Sequence, residues 1–251
     1  MSRLAVIVLA LGSFARGAET VSVAAASNLV YVIDALTAEF KRAAPGVTVR
    51  VTTGASGSLF AQIKHGAPFD VFLSADTEYP GQVVAQRIGP ADTLRIFATG
   101  RLVLWTTRDG LDVTDLGSVV RGSNVRKIAL ANPLTAPYGR AAQAALAHAG
   151  VKQEAAAKLV VGENISQTAQ FVETGSAEVG FVALSLVLSP RLKSVGRWRE
   201  IPAAAHPGVS LDHAAVLTDR GAKNAVARRY LEFLGSEPAK KILHASGYGV
   251  P

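Results

Sequence analysis

Residues 54–76 read GASGSLFAQIKHGAPFDVFLSAD. The stretch opens on small residues, Gly54, Ser56, Gly57 and Ser58. It then turns apolar at helical spacing, with Leu59, Phe60 and Ile63 on one side. Gly66 and Pro68 stop that helix. Val71, Phe72 and Leu73 form a short apolar run of strand type, closed by Ser74, Ala75 and Asp76. A flexible turn feeding a helix leaves backbone N–H groups unpaired at the positive end of the helix dipole, which suits an anion. The Ser56 and Ser58 hydroxyls add donors, and the glycine lets a ligand approach the backbone. The competing reading is an ordinary N-cap, a serine ahead of an amphipathic helix.

Upstream, residues 21–26 are a candidate buried strand, and Ser27 can cap the helix that follows. Leu29, Val32, Ile33, Leu36 and Phe40 keep helical spacing. Pro45 and Gly46 turn the chain, and residues 47–51 alternate as a strand. Strand, helix, strand, helix, strand is an α/β arrangement with a largely parallel sheet. Downstream, Leu102–Thr106 is a strand at which the chain can cross into a second domain. Further strands are expected over 127–130, 158–161 and 179–183, and helices over 140–149 and 167–173. Residues 214–218 return the chain to the first domain, and helices over 223–234 and 238–245 complete it.

Composition narrows the function. With 251 residues, 49% hydrophobic and 18% charged, the chain can bury a sizeable core. It has no cysteine, which excludes a disulfide framework and thiolate metal sites. The formal net charge is +7, but the basic residues are dispersed, in short pairs such as Lys41-Arg42 and Lys240-Lys241. Without a basic stripe or aromatic platforms, nucleic acid is not an expected partner. The positive balance mildly attracts anions. The five histidines, His65, His148, His206, His213 and His244, show no metal-ligand spacing and read as surface or packing residues. No nucleophile elbow, phosphate loop or cysteine nucleophile is present, and Asp70 and Asp76 have no evident acid partner. An enzyme is therefore not expected, with a secreted α/β hydrolase as the reading of another class. Residues 1–18 read as a secretory signal: Arg3, an apolar run from Leu4 to Leu11, then small residues for cleavage after Gly17 or Ala18. The run is short of the ~20 residues of a membrane span. The other reading of it is a buried N-terminal helix.

Four times a strand runs into a small polar loop and then a helix. The loops hold Ser27-Asn28, Ser56-Gly57-Ser58, Pro137-Tyr138-Gly139 and Asn164-Ile165-Ser166. In open α/β sheets ligands sit beyond the carboxyl ends of the strands. Two such loops from each half can converge on one cleft. Each offers N–H groups, several add a hydroxyl, and none carries a charge. That set suits a small oxyanion that needs many donors.

Two segments resemble signatures of the periplasmic molybdate-binding proteins of ABC importers. They are Ala24-Ala25-Ala26-Ser27-Asn28 and Gly66-Ala67-Pro68-Phe69-Asp70-Val71-Phe72-Leu73-Ser74-Ala75-Asp76. The likeness runs on to Gly247-Tyr248-Gly249-Val250. It implies a type II, two-domain binding protein of the α/β class, with mixed, mostly parallel sheets flanked by helices and a ligand cleft between the domains. The implied domains are 19–100 with 212–251, and 101–211, after a signal peptide over 1–18. The implied function is capture of molybdate, with tungstate its near-equivalent, in the periplasm and delivery to a membrane permease. The resemblance further implies a monomer with no cofactor and no catalysis. Molybdenum enters only as the bound oxyanion, without direct protein–metal ligands. A binder of sulfate or another tetrahedral oxyanion is the alternative within the class. By this resemblance Ser27 and Ser56 match hydroxyl ligands, Asn28 a position that contributes through its backbone, Tyr138 a ligand of the second domain, and Ile165 a backbone N–H donor. Some members carry tyrosine where this chain has Ala183, so Tyr138 is expected to stand in for it.

Overall fold

The computed structural model describes residues 19–251; the expected leader over 1–18 lies outside the described residues. The first stretch comprises β1 (Thr20–Ala26), α1 (Val32–Ala43), β2 (Thr48–Gly54), α2 (Ser56–Lys64), β3 (Val71–Ser74), α3 (Glu78–Ala85) and β4 (Arg95–Thr99). The middle holds β5 (Leu102–Thr106), α4 (Leu116–Arg121), β6 (Ile128–Ala131), α5 (Pro137–His148), α6 (Lys152–Ala156) and β7 (Leu159–Gly162). It continues with α7 (Ile165–Glu173), β8 (Val179–Ala183), α8 (Leu184–Val187) and β9 (Arg197–Ile201). β10 (Asp212–Leu217), α9 (Asp219–Ala222), α10 (Ala225–Phe233) and α11 (Glu237–Ala245) close the chain.

These strands form two five-stranded sheets, ordered β2-β1-β3-β10-β4 and β7-β6-β8-β5-β9. The sheets repeat one plan. Three strands lie parallel, built by βαβ units. A fourth is inserted antiparallel, and an antiparallel edge strand follows. Parallel and antiparallel pairings are thus equal in number. The inserted strands, β5 and β10, are the ones that follow a crossing between sheets. The chain passes from the first sheet to the second between Thr99 and Leu102 and returns between Ile201 and Asp212. Gly100 N donates to Leu211 O at 2.9 Å and ties the two crossings together. The edge strands β4 and β9 give no clean apolar pattern, because Arg95, Arg197 and Arg199 point into solvent, as suits an edge that must not recruit another chain.

Each sheet has its own packed helices. On the first, α1 turns Val32, Ile33, Leu36 and Phe40 inward. Phe40 meets Tyr230 of α10 edge-on at 5.0 Å between ring centres, an arrangement that adds about 0.5–1.5 kcal/mol beyond area burial. On the second, Ala141, Ala142 and Ala145 of α5 and Val172 of α7 pack on β6 and β8. Ala26, Ala55 and Ala75 belong to the first half by sequence but are buried in the second half's core, so the two halves are shut against each other. Among the described residues no helix is long and apolar enough to cross a membrane.

Two expected helices start early. α5 begins at Pro137 rather than Arg140, because proline at the first helical position has φ preset and no N–H to satisfy. α7 begins at Ile165 rather than Gln167, because Asn164 caps it. The residues expected in loops therefore stand in first helical turns.

Candidate functional site

Residues from both halves enclose a small cavity. Its walls are Ala26, Ser27, Asn28, Gly54, Ala55, Ser56 and Ala75 from one side and Ala136, Pro137, Tyr138 and Ile165 from the other. The four loops lie beyond the carboxyl ends of β1, β2, β6 and β7, the adjacent parallel strands of each sheet. The free space is at most about 190 Å³. Pockets that hold drug-sized molecules run to roughly 300–1,000 Å³. The space is too small for a drug-sized organic solute and is on the scale of a small ion. No lining side chain is charged.

Donors are left over at each helix start. α2 begins at Ser56, and the Gly57 N–H is taken by Thr135 O across the cleft at 2.8 Å. In α5, Gly139 and Arg140 donate to Ala136 O, which leaves the Tyr138 N–H. In α7, Asn164 Oδ1 takes the Ser166 and Gln167 N–H groups at 3.0 and 3.1 Å, which leaves that of Ile165. First-turn N–H groups have no partner inside their own helix. Among the described residues the amides of Ser56, Tyr138 and Ile165 find none outside it either.

The five residues named from the sequence, Ser27, Asn28, Ser56, Tyr138 and Ile165, all line this cavity and are all buried. The capping roles assigned to the two serines need correction. The N-cap of α2 is Ala55, and the Ser56 hydroxyl instead accepts the Ala75 N–H at 3.0 Å, which turns its own proton toward other acceptors. Ser27 opens a short 3-10 turn, Ser27–Leu29, without capping it, and α1 starts only at Val32. Ser27 O accepts from Ser166 Oγ of the opposite half at 2.8 Å. The Tyr138 phenol is buried without a hydrogen-bond partner, and burial pushes its pKa well above the ordinary value. Ala183 is buried at the start of α8 and is not part of the lining.

Behind the wall runs a polar ring that the sequence did not announce. His213 Nδ1 lies 2.8 Å from Leu211 O, an acceptor only, so that nitrogen carries the proton. Burial lowers the His213 pKa to about 4, against smaller upward pulls from the Leu211 carbonyl and Asp212. The neutral ring then offers Nε2 as acceptor, and Asn28 Nδ2 donates to it at 2.7 Å. The other Asn28 amide proton goes to Tyr248 Oη at 2.8 Å. Tyr248 Oη reaches Ser185 Oγ at 3.0 Å, and Ser185 Oγ donates to Asn28 O at 3.0 Å. The ring fixes Asn28 through both side chain and backbone, and leaves Asn28 Oδ1 buried and unpaired. Asp70 and Asp76, left without partners in the sequence reading, are structural. Asp70 accepts Ser22 N–H and pairs with Arg220, and Asp76 pairs with Arg140. Of the histidines, His213 and His206 are buried while His65, His148 and His244 are exposed. Among the described residues no group of three or more His, Asp or Glu side chains forms a metal centre.

This cleft can bind and shield a small anion by neutral donors. Comparison with known proteins agrees. The family model for bacterial extracellular solute-binding proteins matches residues 21–249. The chain is 35% identical to the molybdate-binding protein ModA of Azotobacter vinelandii, over 100% of this chain and 98% of that one. It is 39% identical to the molybdate-binding protein ModA of Rhodobacter capsulatus, over 81% and 78% of the two chains. The solved structure of the Azotobacter vinelandii periplasmic molybdate-binding protein superposes with a TM-score of 0.86 at 32% identity, covering 92% of this chain and 99% of that one. A shared sequence over the full length, the same two-sheet architecture and a cleft of this kind lead to one assignment: the chain belongs to the bacterial extracellular solute-binding proteins, in the family of the molybdate-binding proteins.

Proposed function

We propose that this protein captures molybdate, with tungstate its near-equivalent, in the periplasm and hands it to the permease of an ABC importer, without chemistry and without a cofactor. The observation that carries the reading is the uncharged, ion-sized cavity walled by helix starts and hydroxyls from both halves. In this reading the chain is a monomer, and 1–18 is an export signal. Residues 19–100 with 212–251 form one domain and 101–211 the other. Ser27 and Ser56 give hydroxyl donors, Tyr138 and Ile165 backbone N–H groups, and Asn28 shapes its turn so that the backbone faces the ion. The Tyr138 phenol lies against Gly100 and His213 at the crossing between the halves, so in this reading its backbone N–H, not its phenol, serves the ion.

A tetrahedral dianion in such a site is held by many charge-assisted hydrogen bonds in a dry space. A cavity walled by backbone has little freedom to shrink around the smaller sulfate, which would leave donors long or unpaired at about 1–3 kcal/mol each. Calorimetry with molybdate, tungstate, sulfate and phosphate tests the reading. Tight binding of the first two and at least tenfold weaker binding of sulfate is expected. Ser56→Ala removes a donor to a charged oxygen, about 1.5–3 kcal/mol, or roughly 10- to 150-fold in Kd. Sulfate bound as tightly as molybdate would overturn the assignment of the ion.

A further inference from the structure

Asp76 poses a problem for an anion site. Its side chain is 94% buried, and it follows Ala75, which lines the cavity and whose N–H holds the Ser56 hydroxyl. Asp76 Oδ1 accepts from Ser74 Oγ at 2.8 Å and from Tyr79 N–H at 3.2 Å, so the carboxylate is anchored to its own half. A fixed negative charge there repels an incoming dianion, and a dry, closed cleft screens the repulsion poorly. Burial already raises the pKa of Asp76, the mark of a charge in an unfavourable place.

The counter-charge comes from the opposite half. Arg140, in the first turn of α5, hydrogen-bonds Asp76 Oδ2, lies 3.4 Å from Glu78 Oε2, and reaches Tyr79 Oη at 3.4 Å. Its guanidinium carbon sits 5.5 Å from the centre of the Tyr79 ring. Tyr79 in turn donates to Leu134 O of the second half at 3.2 Å. Arg140 thus spans the mouth of the cleft and meets Asp76 only when the halves are together. The Arg140 side chain is itself 27% exposed and makes no part of the lining, so it stays at the rim.

We propose that Arg140 is a positioning residue for anion retention: it crosses the cleft mouth on closure, cancels the buried Asp76 charge beside the site, and so makes the closed form tolerate a dianion. This rests on the oxyanion-binding reading above. Neutral donors then do the contacting, and the buried carboxylate beside the site is silenced from outside the cavity. An open cleft leaves Asp76 unpaired toward the entrance, which favours expulsion of the ion. Closure and charge compensation are one event.

The test measures molybdate affinity by calorimetry and release rate by stopped flow for wild type, Arg140→Lys, Arg140→Gln, and Arg140→Gln combined with Asp76→Asn. Arg140→Gln is expected to weaken binding at least tenfold, mostly through faster release. Arg140→Lys keeps the charge and should recover most of the affinity. The double variant has no carboxylate left to silence and should bind more tightly than Arg140→Gln alone. Melting temperatures of the ligand-free proteins should stay together, because the pair joins the halves only on closure. Arg140→Gln with wild-type affinity and release overturns the inference, as does a double variant no better than the single. Wild type that binds none of the four oxyanions overturns the functional reading, and this inference with it.

Discussion

His213 shows how much one residue can depend on partners far away in sequence. Read from the chain alone it is one of five histidines without a metal spacing. In the fold it is fully buried, with Asn28, Leu211 and Tyr248 around it and Phe97 and Tyr138 edge-on to its ring. Burial holds its folded pKa at about 4, below the ordinary 6.5, and the neutral form so favoured is the one that accepts from Asn28. Between those values the unfolded chain takes up a proton that the folded chain refuses. The stabilisation is complete above pH 6.5 and is lost as pH falls toward 4, by roughly 3 kcal/mol at most. His213→Gln keeps an acceptor for Asn28 but removes the titration. Urea unfolding from pH 7 to pH 4 should therefore show a shallower fall for His213→Gln than for wild type. Equal slopes would mean that another group carries the acid sensitivity.

At the scale of elements, α2 is built for approach rather than for helix stability. Gly57 in its first turn is a poor helix residue, costing about 0.5–1 kcal/mol against alanine. A Cβ on it would stand 2.5 Å from Tyr79 Oη and 3.0 Å from Thr135 Cα. Tyr79 Oη is itself bonded to Leu134 O, and Thr135 is backbone of the opposite half, so the methyl group meets the contact between the halves. Gly57→Ala should leave the ligand-free protein as stable as wild type or slightly more so, while molybdate affinity drops at least tenfold because the halves cannot meet. A thermal melt paired with calorimetry separates the two effects. Unchanged affinity would show that closure tolerates the methyl group. The helix starts were partly legible: Ser-Gly-Ser, Pro-Tyr-Gly and Asn-Ile-Ser all marked turns into helices. Pro137 and Ile165 were misread as loop residues, because a first helical turn and a loop use the same residue types.

For the whole molecule, the halves are joined by the two crossings near Gly100 and Leu211, tied by the Gly100 N–H to Leu211 O hydrogen bond. The bridge between Thr99 and Gly249 adds the C-terminal end to the same junction. Two chain crossings at one place are what a hinge needs, and rotation of each sheet with its helices around a ligand is the expected motion. The described form is shut: Gly57 to Thr135, Ser166 to Ser27 and Ser185 to Asn28 all bridge the halves. Polar contacts that cross the cleft sit around the cavity, so an ion bound there is expected to stabilise closure. Small-angle scattering should show a smaller radius of gyration with molybdate than without. An unchanged value at saturating ligand would place the conformational change elsewhere.

What the sequence determined by itself was local chemistry. Periodicity marked the strands and helices of the parallel units, since buried faces repeat along the chain whatever they later pack against. Small polar residues between them marked the four turns that meet at the cavity, because those turns need hydroxyls, glycine or proline for reasons that act within a few residues. The edge strands β4 and β9 were not legible, because strands with one wet face and no fixed partner lose the apolar pattern. Only the tertiary structure decided which turns share a cavity, and that alanines at 26, 55, 75 and 136 wall it: a methyl group carries no signal of what stands opposite. The same holds for the His213 ring and the Arg140–Asp76 bridge. Their partners lie tens to hundreds of residues apart, and charge and hydrogen-bond pairing at that range follows from how the sheets close, not from any spacing along the chain.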